Sequence, residues 1–196
     1  ESRSECLLTF GASDVLALTV PVLKELLDMG EGIGSISVVT GGGFRQIGDL
    51  DSLLMTNQCQ KGGSGKRKVE IHHHHNVSNM RRIYENAKCA VTAGGGTLFE
   101  LAAMGVPSIV IVVSDNQLNA AMEQQKKGWC KVFDARDGIS VLEVIAALRE
   151  LWGDEDRRYR MHNLACATAN FDGAKVAANG ILSVIAASKN VSIDNG

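Results

Sequence analysis

The chain carries no excess of charge. Its 20 lysines and arginines stand against 22 aspartates and glutamates, a formal net charge of -2, with both signs mixed along the chain. Such a balance leaves no electrostatic footprint for nucleic acid or for an anionic membrane, so neither is expected as a partner. No apolar run reaches the roughly 18 residues of a spanning helix, and no basic-then-apolar leader opens the sequence. The five cysteines (Cys6, Cys59, Cys89, Cys130 and Cys166) lie far apart, odd in number and without a C-x-x-C pair. They read as reduced, mostly buried small hydrophobes of a cytoplasmic protein. A G-x-S-x-G elbow is missing as well, which argues against covalent hydrolysis by a serine triad.

What is present is a core. With 45% hydrophobic residues in 196, the chain can fold as one globular α/β domain over residues 1–190, with 191–196 read as a frayed tail. It opens on Glu1 rather than methionine and reaches the strand-like CLLTF almost at once, the look of a piece cut from a longer chain. Short β-branched or apolar runs alternate with stretches of helical spacing, the pattern of parallel strands joined by helical crossovers. Strands are predicted at Cys6–Phe10, Ser35–Val39, Val69–His73, Cys89–Thr92, Ser108–Val113 and Cys130–Phe133. Helices are predicted at Val15–Met29, Asp49–Gln58, Asn79–Asn86, Leu98–Met104, Asn116–Lys127 and Val141–Leu151. Two more, Glu155–Ala169 and Gly173–Ser188, are expected to pack across the sheet or its edge. The fold class is therefore a Rossmann-like parallel sheet of about six strands flanked by helices.

Two glycine-rich segments invite a phosphate. KGGSGKRK, Lys61 to Lys68, fails the P-loop spacing, because Gln60 and Arg67 stand where a glycine and a Ser or Thr belong; it reads as a solvated connection. TAGGGTLFELAAMGVPSIVI, Thr92 to Ile111, is different. A strand ending at Thr92, the bare turn Gly94-Gly95-Gly96, and a helix from Thr97 place unpaired amides and a helix dipole at the carboxyl edge of a parallel sheet. Glu100, one turn in, is placed to accept from vicinal hydroxyls such as those of a ribose. The competing reading is a capping box, with Thr97 as cap and Glu100 reaching back to it. Phe99 stands where a dinucleotide fingerprint needs its third glycine, which weakens a nicotinamide-dependent reading. Two further turns point to the same rim: Gly11-Ala12-Ser13-Asp14 after the first strand, where Ser13 or Asp14 can also serve simply as an N-cap, and Asn116-Gln117 after the fifth.

Met80 to Gln117, MRRIYENAKCAVTAGGGTLFELAAMGVPSIVIVVSDNQ, resembles the carboxyl-terminal half of GT-B-fold nucleotide-sugar enzymes. The group it is most similar to contains the UDP-sugar hydrolase of pseudaminic acid biosynthesis and the spore-coat polysaccharide glycosyltransferase-like proteins. Their pattern runs A-G-G-S-T-x-x-E, then G-x-P-S, then an apolar strand ending near N-Q. LLTFGASD resembles their opening F-G-G-x-D, and FDGAKVAANGIL, Phe171 to Leu182, their closing D-G-x-G-A. The resemblance implies a nucleotide diphosphate, uridine by family, near Gly94, Gly95, Gly96 and Thr97. It also implies ribose on Glu100, phosphate or sugar at Asn116 and Gln117, and Gly11, Ser13 and Asp14 on the opposite wall. The base would sit near Ile71 to Val77. Gly96 replaces the usual serine and Ala12 a glycine, departures that bear on affinity.

The family places its acceptor-side groups and its catalytic histidine in an amino-terminal domain of the same parent chain. The resemblance therefore implies binding of a nucleotide sugar or UDP with little turnover by this chain alone, and no cofactor. Three parents share this donor site: a UDP-sugar hydrolase of nonulosonic-acid or surface-polysaccharide synthesis, a glycosyltransferase, and a CMP-sialic acid synthetase carrying it as a binding module. The run His72 to His75 alternates across a strand, so His72 with His74, or His73 with His75, could clamp a metal; no Cys, Asp or Glu stands close in sequence to complete a shell, and the expectation is no metal. Trp129 and Trp152 read as packing residues, and GDEDRRYR, Gly153 to Arg160, as a helix start capped by Asp154.

Overall fold

A computed structural model describes residues 3–29, 32–59, 69–169 and 172–191. The loop at Lys61 to Lys68 and the tail beyond Val191 lie outside them, as does Phe171. Six strands form a single parallel sheet: β1 (Glu5–Thr9), β2 (Ser35–Thr40), β3 (Glu70–His75), β4 (Ala87–Ala93), β5 (Ser108–Val112) and β6 (Cys130–Asp134), in the order β3-β2-β1-β4-β5-β6. A parallel sheet must be covered on both faces, and the alternation of side chains along each strand divides the core accordingly. Cys6, Leu8, Ile36, Val38, Cys89, Val91, Ile109 and Ile111 point to one face. They meet α1 (Thr19–Asp28), through Val22, Leu23 and Leu26, and α6 (Val141–Gly153), through Val144, Leu148 and Leu151. Leu7, Val39, Ala90, Val110 and Val112 point to the other. There they pack against Ile83 and Tyr84 of α3 (Arg81–Asn86), Leu98 and Leu101 of α4 (Thr97–Ala103), and Ala121 of α5 (Asp115–Lys126). The helix α2 (Ile47–Cys59) contributes Leu50 to the first face.

The expected elements are all present, with three informative differences. The first helix begins at Thr19, not Val15, because Asp14 and Ala17 adopt positive φ (44° and 55°) and hold the intervening turn out of helix. The buried Asp14 carboxylate then closes the helix start, Oδ1 accepting from the Leu18 amide at 2.9 Å and Oδ2 from the Thr19 amide at 2.8 Å. Secondly, α7 (Glu155–Thr168) packs on both α4 and α6, helices of opposite faces, and places Met161 in one core and Ala165 in the other, so it spans the two faces rather than lying on one. Thirdly, among the described side chains of α8 (Gly173–Val191), Val176, Ile181, Leu182 and Ile185 are exposed and do not cover the sheet edge.

Other local readings hold for plain reasons. Asp154 caps α7, accepting from the Arg157 amide at 2.8 Å. Trp129 is fully buried and donates to Gln124 Oε1 at 3.0 Å; Trp152 donates to the Gly32 carbonyl at 3.0 Å and carries the Lys88 ammonium 4.4 Å above its ring. Cys6, Cys89 and Cys130 are buried, whereas Cys59 and Cys166 are exposed. No helix among the described residues is long and apolar enough to cross a membrane.

Asp14→Ala leaves the Leu18 and Thr19 amides without their acceptor. It is expected to cost about 1–2 kcal/mol of stability, typical of a lost cap at a buried helix start, read as a lower urea midpoint at unchanged slope.

Candidate functional site

In this strand order the chain reverses its direction of winding between β1 and β4. Adjacent in the sheet, Thr9 beside Thr92, the two strands send their helices to opposite faces, α1 to one and α4 to the other. A crevice opens at the carboxyl ends of such a pair, the position where open α/β sheets take ligands. Its walls are the turn Gly11-Ala12-Ser13-Asp14 on one side and Gly94-Gly95-Gly96 on the other.

On the β4 side, α4 starts at Thr97 with Gly96 in the cap position and no side-chain cap. The Gly94 amide donates to the Ile111 carbonyl at 3.0 Å. The amides of Gly95, Gly96 and Thr97 find no protein acceptor among the described residues. The capping-box alternative does not form: Thr97 is not the cap, and Glu100 is engaged elsewhere. Tyr84 of α3 donates its hydroxyl to Glu100 Oε2, and the Thr97 side chain hydrogen-bonds the same phenol. Burial, followed by the hydrogen bond to Glu100, pushes the Tyr84 phenol up, so it stays protonated as a donor. Glu100 itself is exposed, its Oε2 tied to a buried ring.

Gln117 comes in from α5. Its Oε1 accepts from the Val113 amide at 3.1 Å, which folds the side chain back over the Gly94 turn. A Cβ on Gly94 would lie 3.3 Å from both Cβ and Oε1 of Gln117, so glycine lets the amide side chain lie on the turn. Asn116 is exposed and accepts from the Ser114 hydroxyl at 2.6 Å. Of the predicted residues, Gly94, Gly95 and Gln117 therefore meet directly. Asn116 stands further out on the same rim.

On the β1 side, Gly11 and Ser13 are exposed on the turn, while Asp14 turns inward to its helix-start amides. This turn is locked to a partner that the sequence reading passed over, Gly41-Gly42-Gly43 after β2. The Gly43 amide donates to the Ala12 carbonyl at 2.9 Å. A Cβ on Gly41 would lie 2.4 Å from the Ala12 Cα and 2.6 Å from its oxygen. The signal was available, since T-G-G-G follows β2 as A-G-G-G ends β4. Tyr84 was also missed; nothing in its spacing from Glu100 announces the contact.

The four histidines lie on the edge strand β3 and split by face. His72 and His74 (ring centroids 6.5 Å apart) look toward α3, where with Glu5, Ser37, Arg82, Ile83 and Asn86 they line an open cavity of about 240 Å³. His73 Nε2 and His75 Nδ1 share the Thr40 hydroxyl at 2.9 and 3.0 Å. Among the described residues no group of three His, Cys, Asp or Glu side chains is placed to hold a metal ion. Partial burial, with His75 next in weight, lowers the His73 value below the ordinary 6.5.

The doubly wound sheet, with glycine turns on both sides of its switch point, is Rossmann-like and has the architecture of one half of the GT-B glycosyltransferase fold. The chain belongs to the glycosyltransferase family 28 C-terminal domain family, whose sequence model matches residues 44–177. It is 31% identical over 121 residues to an uncharacterized protein of Methanocaldococcus jannaschii, covering 62% of this chain and 23% of that one. Over 183 residues it is 29% identical to the UDP-N-acetylglucosamine–N-acetylmuramyl-(pentapeptide) pyrophosphoryl-undecaprenol N-acetylglucosamine transferase of Salinibacter ruber, covering 91% of this chain and 46% of the relative. In fold it is similar to Acinetobacter baumannii MurG, with a TM-score of 0.69 at 16% identity over 93% of this chain and 50% of that one. The lipopolysaccharide glycosyltransferase WaaG gives 0.64 at 14% identity over 88% and 44%. The chain thus spans less than half the length of the curated relatives it matches.

Two outcomes follow from these contacts. Gly41→Ala must push the β1 and β2 turns apart and is expected to cost about 1–3 kcal/mol, as overpacking does, measured by chemical denaturation; Gly11→Ala, with nothing within 4 Å of its added Cβ, tests backbone strain alone. For His73, the folded value lies below that of the unfolded chain, so the unfolded state takes up protons first as pH falls. Its contribution to stability is present above about 6.5 and is lost as pH drops toward the folded value. His73→Gln is expected to flatten that part of a stability-against-pH curve.

Proposed function

We propose that this chain is the donor-binding half of a two-domain glycosyltransferase, holding the diphosphate of a nucleotide sugar in the crevice between β1 and β4. The observation that carries the reading is the pairing of family membership with the switch-point geometry: open amides at Gly95, Gly96 and Thr97 on one wall, and the small-residue turn of Gly11 and Ser13 on the other. Those amides suit a phosphate, which glycine lets approach the main chain. Glu100, aimed by Tyr84, receives the ribose hydroxyls; Gln117, whose Oε1 is occupied by Val113, offers its amide N–H groups to phosphate or sugar, with Asn116 beside it. As the sugar–phosphate bond breaks, negative charge grows on the departing diphosphate, and preorganised main-chain donors stabilise that charge. The amino-terminal half of a parent chain supplies acceptor binding and the base.

Uridine is favoured because the Salinibacter ruber relative is named for a UDP-sugar donor. Transfer to an acceptor is preferred over hydrolysis on the family match. Hydrolysis of a UDP-sugar in pseudaminic- or sialic-acid-type synthesis, or a binding module on a CMP-sialic acid synthetase, would use the same donor site; release of free sugar without an acceptor, by a parent chain carrying both halves, marks the hydrolase.

Calorimetric titration with UDP, beside UMP, CMP and NAD, tests the reading. UDP is expected to bind best, and Glu100→Ala to weaken it by about 1.5–3 kcal/mol, the range for a hydrogen bond to a charged group. Tyr84→Phe should weaken UDP less, because the carboxylate remains and only its aim is lost. A preference for NAD, or UDP binding indifferent to Glu100, would overturn the proposal.

A further inference from the structure

Away from the crevice, α7 carries a thiol with a base beside it. His162 and Cys166 are four residues apart and share a helix face, with His162 Nε2 3.8 Å from Cys166 Sγ. The other ring nitrogen, Nδ1, lies 2.6 Å from the carbonyl oxygen of Gly105. A carbonyl only accepts, so Nδ1 carries the ring proton and the Nε2 lone pair faces the thiol. Nucleophile, base and a third group orienting the base form the arrangement that activates a side-chain nucleophile.

The third group is itself fixed. Gly105 is buried in a left-handed turn at φ 61°, where a Cβ would lie 2.4 Å from Nδ1 and 2.6 Å from Sγ. Arg3 donates to the Gly105 carbonyl at 3.1 Å and to that of Met104 at 2.7 Å. Cys166 is an exposed residue, on the solvent side of α7. The other four cysteines serve as internal references. Cys6, Cys89 and Cys130 are buried, and burial pushes the thiols of Cys89 and Cys130 up to about 12. Cys59 is exposed at the end of α2, with no imidazole paired to it among the described residues.

We propose that Cys166 is a site of oxidation by hydroperoxides, with His162 as the base that takes its proton. The sulfur attacks one peroxide oxygen, the S–O bond forms and the O–O bond breaks. The thiol proton passes to Nε2 and on to the departing oxygen, which leaves as water or an alcohol. Sulfur is oxidised by two electrons to the sulfenic acid, and the peroxide is reduced by the same two.

The test is hydrogen peroxide at neutral pH with a sulfenic-acid trap, following each cysteine by peptide mass spectrometry in the intact chain. Cys166 is expected to react roughly tenfold or more faster than Cys59, since microenvironment rather than exposure governs thiol reactivity. His162→Gln should bring it down to the Cys59 rate. Cys166 reacting no faster than Cys59 overturns the proposal without any variant, so a failure of His162→Gln to fold leaves it testable. A fast Cys166 unaffected by His162→Gln in a folded protein overturns it equally.

Discussion

The arrangement depends on one constraint: a parallel sheet has to be covered on both faces, and every crossover must return the chain to the same end of the sheet. With β1 in the middle of the order, one set of crossovers builds outward to β3 and the next builds from β4 outward to β6. The helices part at β1 and β4, and nothing can fill the gap between their starts. The crevice is a consequence of covering the sheet, and the residues on its rim then decide what it can hold.

Close approach is obtained in each case by leaving out a Cβ. Gly41 lets the β2 turn press on the Ala12 backbone, Gly94 lets Gln117 lie on the β4 turn, and Gly105 lets His162 and Cys166 meet the end of α4. These contacts tie loops to one another where no helix or strand could. They also join the elements around α4: its first turn faces the crevice and is reached by Tyr84 of α3, and α7 braces the turn that follows the helix.

Much of this was legible beforehand because the signals are local. Six apolar runs separated by helical stretches gave the strands to within a residue or two, as with Ser108–Val113 against Ser108–Val112. The glycine turns at Gly11 and Gly94 announced themselves by composition. Less legible were features set by an unusual backbone conformation or by a partner on another element. The late start of α1 follows from the backbone at Asp14 and Ala17, and the fate of Glu100 from a tyrosine on another helix. A capping box and a tyrosine-held carboxylate are written with the same T-x-x-E, so only the neighbour decides between them. The exposed apolar side chains of α8 show the same limit, because amphipathic spacing states that a face is to be covered and not by what.

By itself, then, the sequence determined the alternation of strand and helix, the parallel class, and the glycine turns at the carboxyl ends of strands, since hydrophobic period and turn chemistry act over a few residues. Only the tertiary structure decided that β1 and β4 are neighbours, that Gly41 presses on Ala12, that Tyr84 aims Glu100, and that Gly105 orients His162 toward Cys166. Each of those is a contact between residues far apart in the chain, brought within a few ångströms by the order of strands in the sheet and by the faces its helices take.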